Sequence, residues 1–179
     1  ASARMGYNSD NLFFLGYWFP HVSTYDDLFG WFGDNFTGNA EFYHDFGDYD
    51  ISITAPEQWL VMSTGAFENP AEVLAPSILK KYNAAQTSDE VMTIASFDDI
   101  GNTTVHGKDG TLTWKFKAKN VPDVAFSATR ESQWDALRTP VGDTDGDGQT
   151  NYSMIHSFWR SSAPLWEKSA EYTAHAISY

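Results

Sequence analysis

A run of aspartates and glycines between residues 143 and 151 is the sharpest chemical signal in this sequence. It reads D-T-D-G-D-G-Q-T-N, so three carboxylates stand at alternate positions, and Gly148 allows the tight bend that turns them toward one point. Because Ca²⁺ prefers oxygen ligands, this spacing predicts a calcium loop in which a backbone carbonyl and an amide side chain complete the donor set. The candidate ligands are Asp143, Asp145, Asp147, Gln149 and Asn151.

The predicted calcium loop departs from the EF-hand pattern at the twelfth position, where Met154 stands in place of a bidentate Glu. A complete site therefore needs another acid, for which Glu131 and Asp135 are the candidates from across the loop. Two interpretations stay open, a loop that binds structural Ca²⁺ and a solvated Asp/Gly turn without a metal. Calcium in such a weak site favours an extracytoplasmic setting, periplasmic, secreted or at the cell surface, where the ion is plentiful.

Other acidic and histidine arrangements carry weaker chemical signals. On the predicted terminal helix, Glu167, Glu171 and His175 share one face at the spacing i, i+4, i+8, which offers three ligands to a metal. A solvated helix face is the favoured interpretation of that spacing. Two pairs of adjacent carboxylates are typical of turn and cap residues rather than of a glycosidase acid/base pair. These pairs are Asp26-Asp27 and Asp98-Asp99.

Composition excludes several classes of partner and chemistry. A net charge of -13 argues against nucleic acid, whose phosphates require lysine and arginine, and against an anionic membrane surface. The absence of cysteine excludes disulfides, thiolate zinc sites and a cysteine nucleophile. No apolar run approaches the roughly 20 residues of a membrane span. No G-x-S-x-G motif and no phosphate-binding glycine loop is present.

The elements that must position these residues are mostly strands. Alternating apolar and polar side chains predict a mainly-β domain, a twisted antiparallel sheet or sandwich of about eight strands. The period changes to a helical one near 77–85 and again from about residue 163, where Trp166, Ala170, Thr173 and Ile177 form one stripe. The strands at 41–55 and 59–64 are expected to pair through a short turn. The predicted strands are 12–20, 41–55, 59–64, 90–96, 112–118, 124–128 and 154–159.

The order of motifs along the chain resembles the N-terminal β-domain of M1-family (gluzincin) zinc aminopeptidases. An aromatic-proline segment, an acidic turn, a small-residue entry into a strand that ends in proline, and an apolar strand that ends in a small-residue turn follow in that order. Residues 112–118 and 124–128 resemble the closing hairpin of that domain, and 166–179 resembles the first helix of the catalytic domain. The matching positions are Phe19-Pro20, Asp26-Asp27, 40–42, 51–56 and 62–65.

The chain departs from the M1 pattern wherever that family performs chemistry. M1 enzymes hold zinc with an H-E-x-x-H helix and a later Glu, but none of the five histidines here precedes a Glu, and no two are four apart. The family's G-x-M-E-N segment is also missing. The resemblance therefore implies a non-catalytic domain that supports a zinc domain and walls the peptide cleft. It divides the chain from residue 12 into a β-domain at 12–160 and the first helix of a truncated catalytic domain at 161–179. Residues 1–11 are polar and without periodicity, and are expected to be a disordered or tag-derived tail.

The resemblance also implies partners and a cofactor outside this chain. Zn²⁺ is expected in the missing catalytic domain, which lies downstream, and the peptide substrate binds the full-length enzyme. The competing hypothesis is a calcium-stabilised extracellular binding module for glycan or protein, because such modules are also acidic and rich in β-structure. Seven tryptophans would be available for sugar stacking. Trp114 and Trp166 are predicted to be core residues, whereas Trp31 is the best candidate for an exposed aromatic.

Overall fold

The computed structural model describes residues 4–8, 11–33 and 43–178. The fold is mainly β, as predicted, with antiparallel sheets, few helices and a helix near the carboxyl end. Within the described ranges, no helix has the length and apolar character needed to cross a membrane. The residues outside these ranges include 40–42, which carry part of the M1 resemblance.

The described residues form twelve strands and three α-helices. The strands are β1 Met5–Asn8, β2 Leu12–Leu15, β3 Tyr25–Asp26, β4 Gly30–Trp31, β5 Gly47–Pro56, β6 Leu60–Ser63, β7 Ala66–Phe67, β8 Met92–Ala95, β9 Thr111–Val121, β10 Phe126–Thr129, β11 Gln133–Gly142 and β12 Asn151–Trp159. The helices are α1 Pro70–Val73, α2 Pro76–Ala85 and α3 Ser169–Ile177, with short 3-10 turns at Phe97–Asp99 and Pro164–Trp166.

The strands pair into four antiparallel sheets. One has the order β1-β2-β10-β6, a second the order β12-β11-β8, and a third the order β5-β9-β7, while β3 and β4 form a separate two-stranded hairpin. The three larger sheets and the first two helices contribute to one hydrophobic core. A second, smaller cluster joins α3 to β11 and β12 through four residues. These are Leu137, Ile155, Ala170 and Ala174.

Strand β9 shows how the alternating sequence builds the core. Its buried side chains are two residues apart, and the residues between them face solvent or are half-buried, as the period of a strand requires. The register places Ile51 opposite Phe116 and Ile53 opposite Trp114, so β5 adds its own apolar face to the same layer. The buried residues of β9 are Leu112, Trp114, Phe116 and Ala118.

Helix α2 confirms the predicted helix near 77–85. Pro76 occupies the first turn, where a missing N–H costs no hydrogen bond. Ile78, Tyr82 and Ala85 follow at i, i+4 and i+7 and are all buried. The Tyr82 ring lies 5.7 Å from that of Trp134 between centroids, which joins the helix to the sheet containing β11.

The predicted pairing of 41–55 with 59–64 is wrong. Strand β5 pairs with β9 along its whole length, whereas β6 pairs with β10 in a different sheet. The turn between β5 and β6 is held by a residue distant in sequence, because Gln58 Oε1 accepts a hydrogen bond from the Thr103 N–H at 2.9 Å. Gln58 also adopts a positive φ of 66°, which directs the chain away from β5. Strands β9 and β10 also belong to different sheets, so the expected closing hairpin of these two strands is not formed.

Five of the twelve described strands were not predicted, and β1 and β11 are the two longest of them. Met5–Asn8 pairs with Leu12–Leu15, so at least this part of the predicted tail at 1–11 is a strand of the four-stranded sheet. Strand β11 is the central member of its sheet and pairs with β12 over nearly its whole length. Asp135, Arg138 and Pro140 conceal its strand character in the sequence. Proline is tolerated here because β8 pairs only with 134–136 and leaves that edge of β11 free at Pro140.

The carboxyl-terminal helix is present, and of its predicted stripe Ala170 is buried, whereas Trp166, Thr173 and Ile177 are exposed. Ala170 and Ala174 are its buried residues and face Leu137 and Ile155. Trp166 belongs to the preceding 3-10 turn and is 61% exposed, and Ile177 is exposed as well. The helix begins only at Ser169, so Trp166 does not continue its stripe.

Candidate functional site

The aspartate loop joins β11 to β12 and lies on the surface. Its base is closed by the pairing of Gly142 with Asn151, after a register shift that follows Pro140. Asp143, Asp145 and Asp147 are all exposed, and one carboxylate oxygen from each lies within 4.8 Å of the others. The structure therefore brings together the three aspartates that the sequence predicted as ligands.

Backbone N–H groups inside the loop hold Asp143 in place. Its Oδ1 accepts a hydrogen bond from the Gly146 N–H at 2.7 Å, and its Oδ2 accepts one from the Gly148 N–H at 2.9 Å. These donors, the Gly148 N–H foremost, hold the pKa of Asp143 below its ordinary value. Gly146 and Gly148 adopt φ values of 80° and 82°, which favour glycine and permit the two bends.

The other two predicted ligands are also part of the loop's hydrogen-bond network. Asn151 Oδ1 accepts from the Thr144 N–H at 3.1 Å. The Gln149 side-chain amide donates to Asp147 Oδ2 at 3.2 Å, and its backbone N–H donates to Asp147 Oδ1 at 2.8 Å. Because every predicted metal-ligand atom of the loop is an oxygen, the loop suits a hard cation such as Ca²⁺ better than Zn²⁺, which prefers nitrogen and sulfur.

The two acids expected to complete the loop lie elsewhere. Asp135 faces Ser157 across the β11–β12 ladder, seven residues before Gly142, which is a separation of about 23 Å along a strand. It is only 3% exposed, and its carboxylate accepts hydrogen bonds from Thr93 and Trp159 at 2.7 and 2.6 Å. Glu131 forms an ion pair with Arg160 at 3.5 Å. The expectation that either acid joins the loop is therefore wrong.

The histidines do not assemble a metal site within the described residues. His21 and His44 are neighbours, with ring centroids 4.1 Å apart, and His21 Nε2 is 3.1 Å from Asp123 Oδ1. His106 and His175 lie on the surface. In the described ranges, the aspartate loop is the only group of three or more His, Asp or Glu side chains whose ligand atoms converge.

The suggested metal face on the terminal helix is not assembled. Glu167 precedes α3, so it does not share that helix with Glu171 and His175. All three side chains are exposed and do not form a converging group. This agrees with the solvated face that the sequence favoured.

A groove of about 560 Å³ lies between β11, β12 and α3, and sequence reasoning did not anticipate it. Arg138 binds Asp89 through Nε at 2.6 Å, and its guanidinium lies 4.1 Å from the centroid of the Tyr152 ring. This contact lowers the pKa of Asp89 and raises that of Arg138, mainly through the hydrogen bond they share. Glu171 and His175 also line the groove. The position of Arg138 in this groove could have been predicted only if β11 had been recognised as a strand in the sequence.

The aromatic residues divide between core and surface. Trp114 is fully buried, as predicted, and Trp31 is 66% exposed, as expected for the best surface candidate. The prediction of a buried Trp166 is wrong, because this side chain is also exposed. Trp31 belongs to the β3–β4 hairpin, and its ring meets that of Tyr25 edge to face at 5.1 Å.

Comparison with known proteins gives no relative for this chain: no family model, no curated protein and no solved structure matches it.

Proposed function

We propose that this chain is the non-catalytic N-terminal β-domain of an M1-like zinc aminopeptidase, which supports the zinc domain and walls the cleft that admits peptides. The order of its sequence motifs supports this proposal, and so does the mainly-β fold on which they lie. The strand that ends in proline is β5, and the strand that ends in a small-residue turn is β6. The aromatic-proline segment packs on β5, with Phe19 and Tyr49 ring centroids 5.9 Å apart.

The observation that best supports this proposal is the exposed apolar surface of α3 and of the turn before it. The helix contributes only Ala170 and Ala174 to the neighbouring sheet. The large apolar side chains of the helix and of the turn before it are exposed, and Leu165 is 93% exposed. A segment that buries two alanines and displays large apolar side chains is typical of an element shared between two packed bodies. The exposed apolar residues of this segment are Leu165, Trp166, Tyr172 and Ile177.

The zinc chemistry in this proposal belongs to the downstream catalytic domain. The converging acids of the described residues form an all-oxygen set at the aspartate loop, which does not fit the His/Glu donor set of a catalytic zinc site. The chain itself lacks H-E-x-x-H. Its own contribution is therefore structural, and the peptide substrate would meet it only as part of the cleft wall.

Two measurements test this function. The purified chain, incubated with Zn²⁺ and an aminoacyl-4-nitroanilide, is expected to show no turnover above a buffer blank. Turnover that follows the protein through successive purification steps would contradict a purely supporting role. The coding sequence that contains the chain is expected to encode H-E-x-x-H downstream of Tyr179. A complete coding sequence without that motif would refute the zinc aminopeptidase assignment.

A second candidate function is a calcium-stabilised extracellular binding module. The convergence of three carboxylates within 4.8 Å favours it, because such a group repels itself unless a cation or solvent compensates. We infer an extracytoplasmic location under either function, since weak calcium sites of this kind fill only where calcium is abundant. A glycan array probed with and without calcium separates the two. Calcium-dependent retention of one glycan class would favour the module, and no retention would favour the supporting domain.

A further inference from the structure

The β3–β4 hairpin and its flanks, residues 22–32, display a continuous series of apolar side chains to solvent. We call this segment the aromatic hairpin. Its six large apolar residues are between 42% and 83% exposed, which is unusual for so short a stretch. They are Val22, Tyr25, Leu28, Phe29, Trp31 and Phe32.

The aromatic hairpin is held in this arrangement by its own polar contacts. At its tip, Asp26 Oδ1 accepts hydrogen bonds from the Leu28 and Phe29 N–H groups at 2.9 and 2.6 Å. At its base, the Phe32 N–H donates to the Thr24 carbonyl at 2.8 Å. Thr24 is buried, and its hydroxyl donates to the Tyr43 carbonyl at 3.0 Å. The display of apolar rings is therefore a property of the fold.

The charged side chains of the aromatic hairpin are all acidic. Residues 22–33 contain Asp26 and Asp27 but no lysine, arginine or histidine. Asp26 is committed to the tip, whereas Asp27 makes no hydrogen bond or ion pair in the part of the chain that the structure describes. The whole chain carries a net charge of -13, so the electrostatic potential around the hairpin is negative as well.

We propose that the aromatic hairpin docks a peptide segment that combines aliphatic with lysine or arginine side chains. Exposed Tyr and Trp faces attract ammonium and guanidinium groups, and the aliphatic residues cover the remaining apolar area. Charge complementarity selects this partner. A second copy of the same acidic surface is disfavoured by like charge, and so is an anionic membrane. The proposal goes beyond the supporting role above, because it requires neither a zinc domain nor bound calcium.

The test uses the full chain and a fluorescein-labelled peptide of alternating leucine and lysine, followed by fluorescence anisotropy. The matched probe replaces each lysine with glutamate. The lysine peptide is expected to bind, and the glutamate peptide is not. Phe29→Ser and Trp31→Ala are expected to weaken binding by about tenfold each, as for central aromatic contacts at interfaces. Phe29 is the more exposed of the two, at 83%, so its substitution is expected to leave the fold undisturbed.

Two control variants separate the hairpin from general attraction to an acidic protein. Trp166→Ala removes an exposed tryptophan outside the aromatic hairpin, and Asp109→Asn removes an exposed acid elsewhere. Both are expected to bind like the parent chain, while Asp27→Asn weakens binding measurably. The proposal is overturned if the lysine peptide does not bind, or if the control variants lose as much affinity as the hairpin variants. Binding of oligosaccharides instead of the peptide would overturn it as well.

Discussion

The indole N–H of Trp134 donates a hydrogen bond to Nδ1 of His156, with 3.2 Å between the two nitrogens. The two side chains lie on neighbouring strands, β11 and β12, and Trp134 is fully buried. An acceptor nitrogen carries no proton, so this contact requires a neutral imidazole, and the half-buried position of His156 disfavours its charged form. Burial lowers the pKa of His156 to about 4, from its ordinary value of 6.5.

The first prediction follows from this lowered pKa. Between pH 6.5 and about 4 the unfolded chain binds a proton at His156 that the folded chain does not, so the free energy of unfolding falls as pH falls. The full effect is on the order of 3 kcal/mol. Urea unfolding from pH 7 to pH 4 should show this loss, and His156→Gln should reduce it. His175→Gln, on the exposed helix, should leave the slope unchanged, and equal slopes for all three proteins would disprove the assignment.

The second prediction concerns the aspartate loop. If Ca²⁺ binds there, it stabilises the folded chain by roughly 2.7 kcal/mol at about 100 times its Kd, observed as a rise in Tm. Asp145→Asn should abolish the rise, because it removes one converging carboxylate without removing the Asp143 contacts that shape the loop. Asp109→Asn is the control.

The pH dependence of calcium binding adds a second readout. The lowered pKa of Asp143 means that this ligand stays charged until below the ordinary range of an aspartate. Calcium affinity measured by calorimetry at pH 5 should therefore not be limited by protonation of Asp143. No heat of binding at millimolar calcium would leave the solvated Asp/Gly turn as the correct interpretation.

The third prediction concerns Gly65, which follows β6. Its φ is 99°, and a Cβ there would lie 2.4 Å from the Lys117 carbonyl oxygen on β9. Gly65→Ala should cost at least about 2 kcal/mol of unfolding free energy, because backbone strain and a clash with backbone add together. Gly101→Ala is the matched control, since its φ of 84° is similar but nothing lies within 4 Å. It should cost only about 1 kcal/mol, and an equal cost at both glycines would rule out the clash.

The fourth prediction tests the outer surface of α3. Trp166→Ser should change the free energy of unfolding by no more than about 0.5 kcal/mol, because the side chain contributes little to the core of this chain. Ala174→Leu should cost about 1 to 3 kcal/mol by overpacking the contact with Leu137 and Ile155.

Concentration-dependent light scattering provides the second readout for α3. If this surface normally meets another domain, Trp166→Ser should reduce self-association of the isolated chain. A large loss of stability in Trp166→Ser would show instead that the tryptophan belongs to the core.

The local sequence was sufficient for the elements whose pattern repeats within a few residues. Strand β9 alternates from Thr111 to Lys119, α2 has a helical period, and the aspartates of the loop are close in sequence, so their convergence needs no distant partner. Strand β11 gave no such signal. It buries residues on both faces, and Asp135 interrupts its apolar run while remaining buried because Thr93 and Trp159 satisfy its carboxylate.

The amino-acid sequence by itself determined the fold class, the acidic surface and the position of the aspartate loop, since each depends on composition or on neighbours in the chain. Only the tertiary structure decided which strands pair, because β5 and β6 are adjacent in sequence yet join different sheets. It also decided that α3 buries alanines rather than Trp166. The physical reason is the same in both cases: hydrogen-bond partners and buried faces are chosen by contacts between residues that are far apart in the chain.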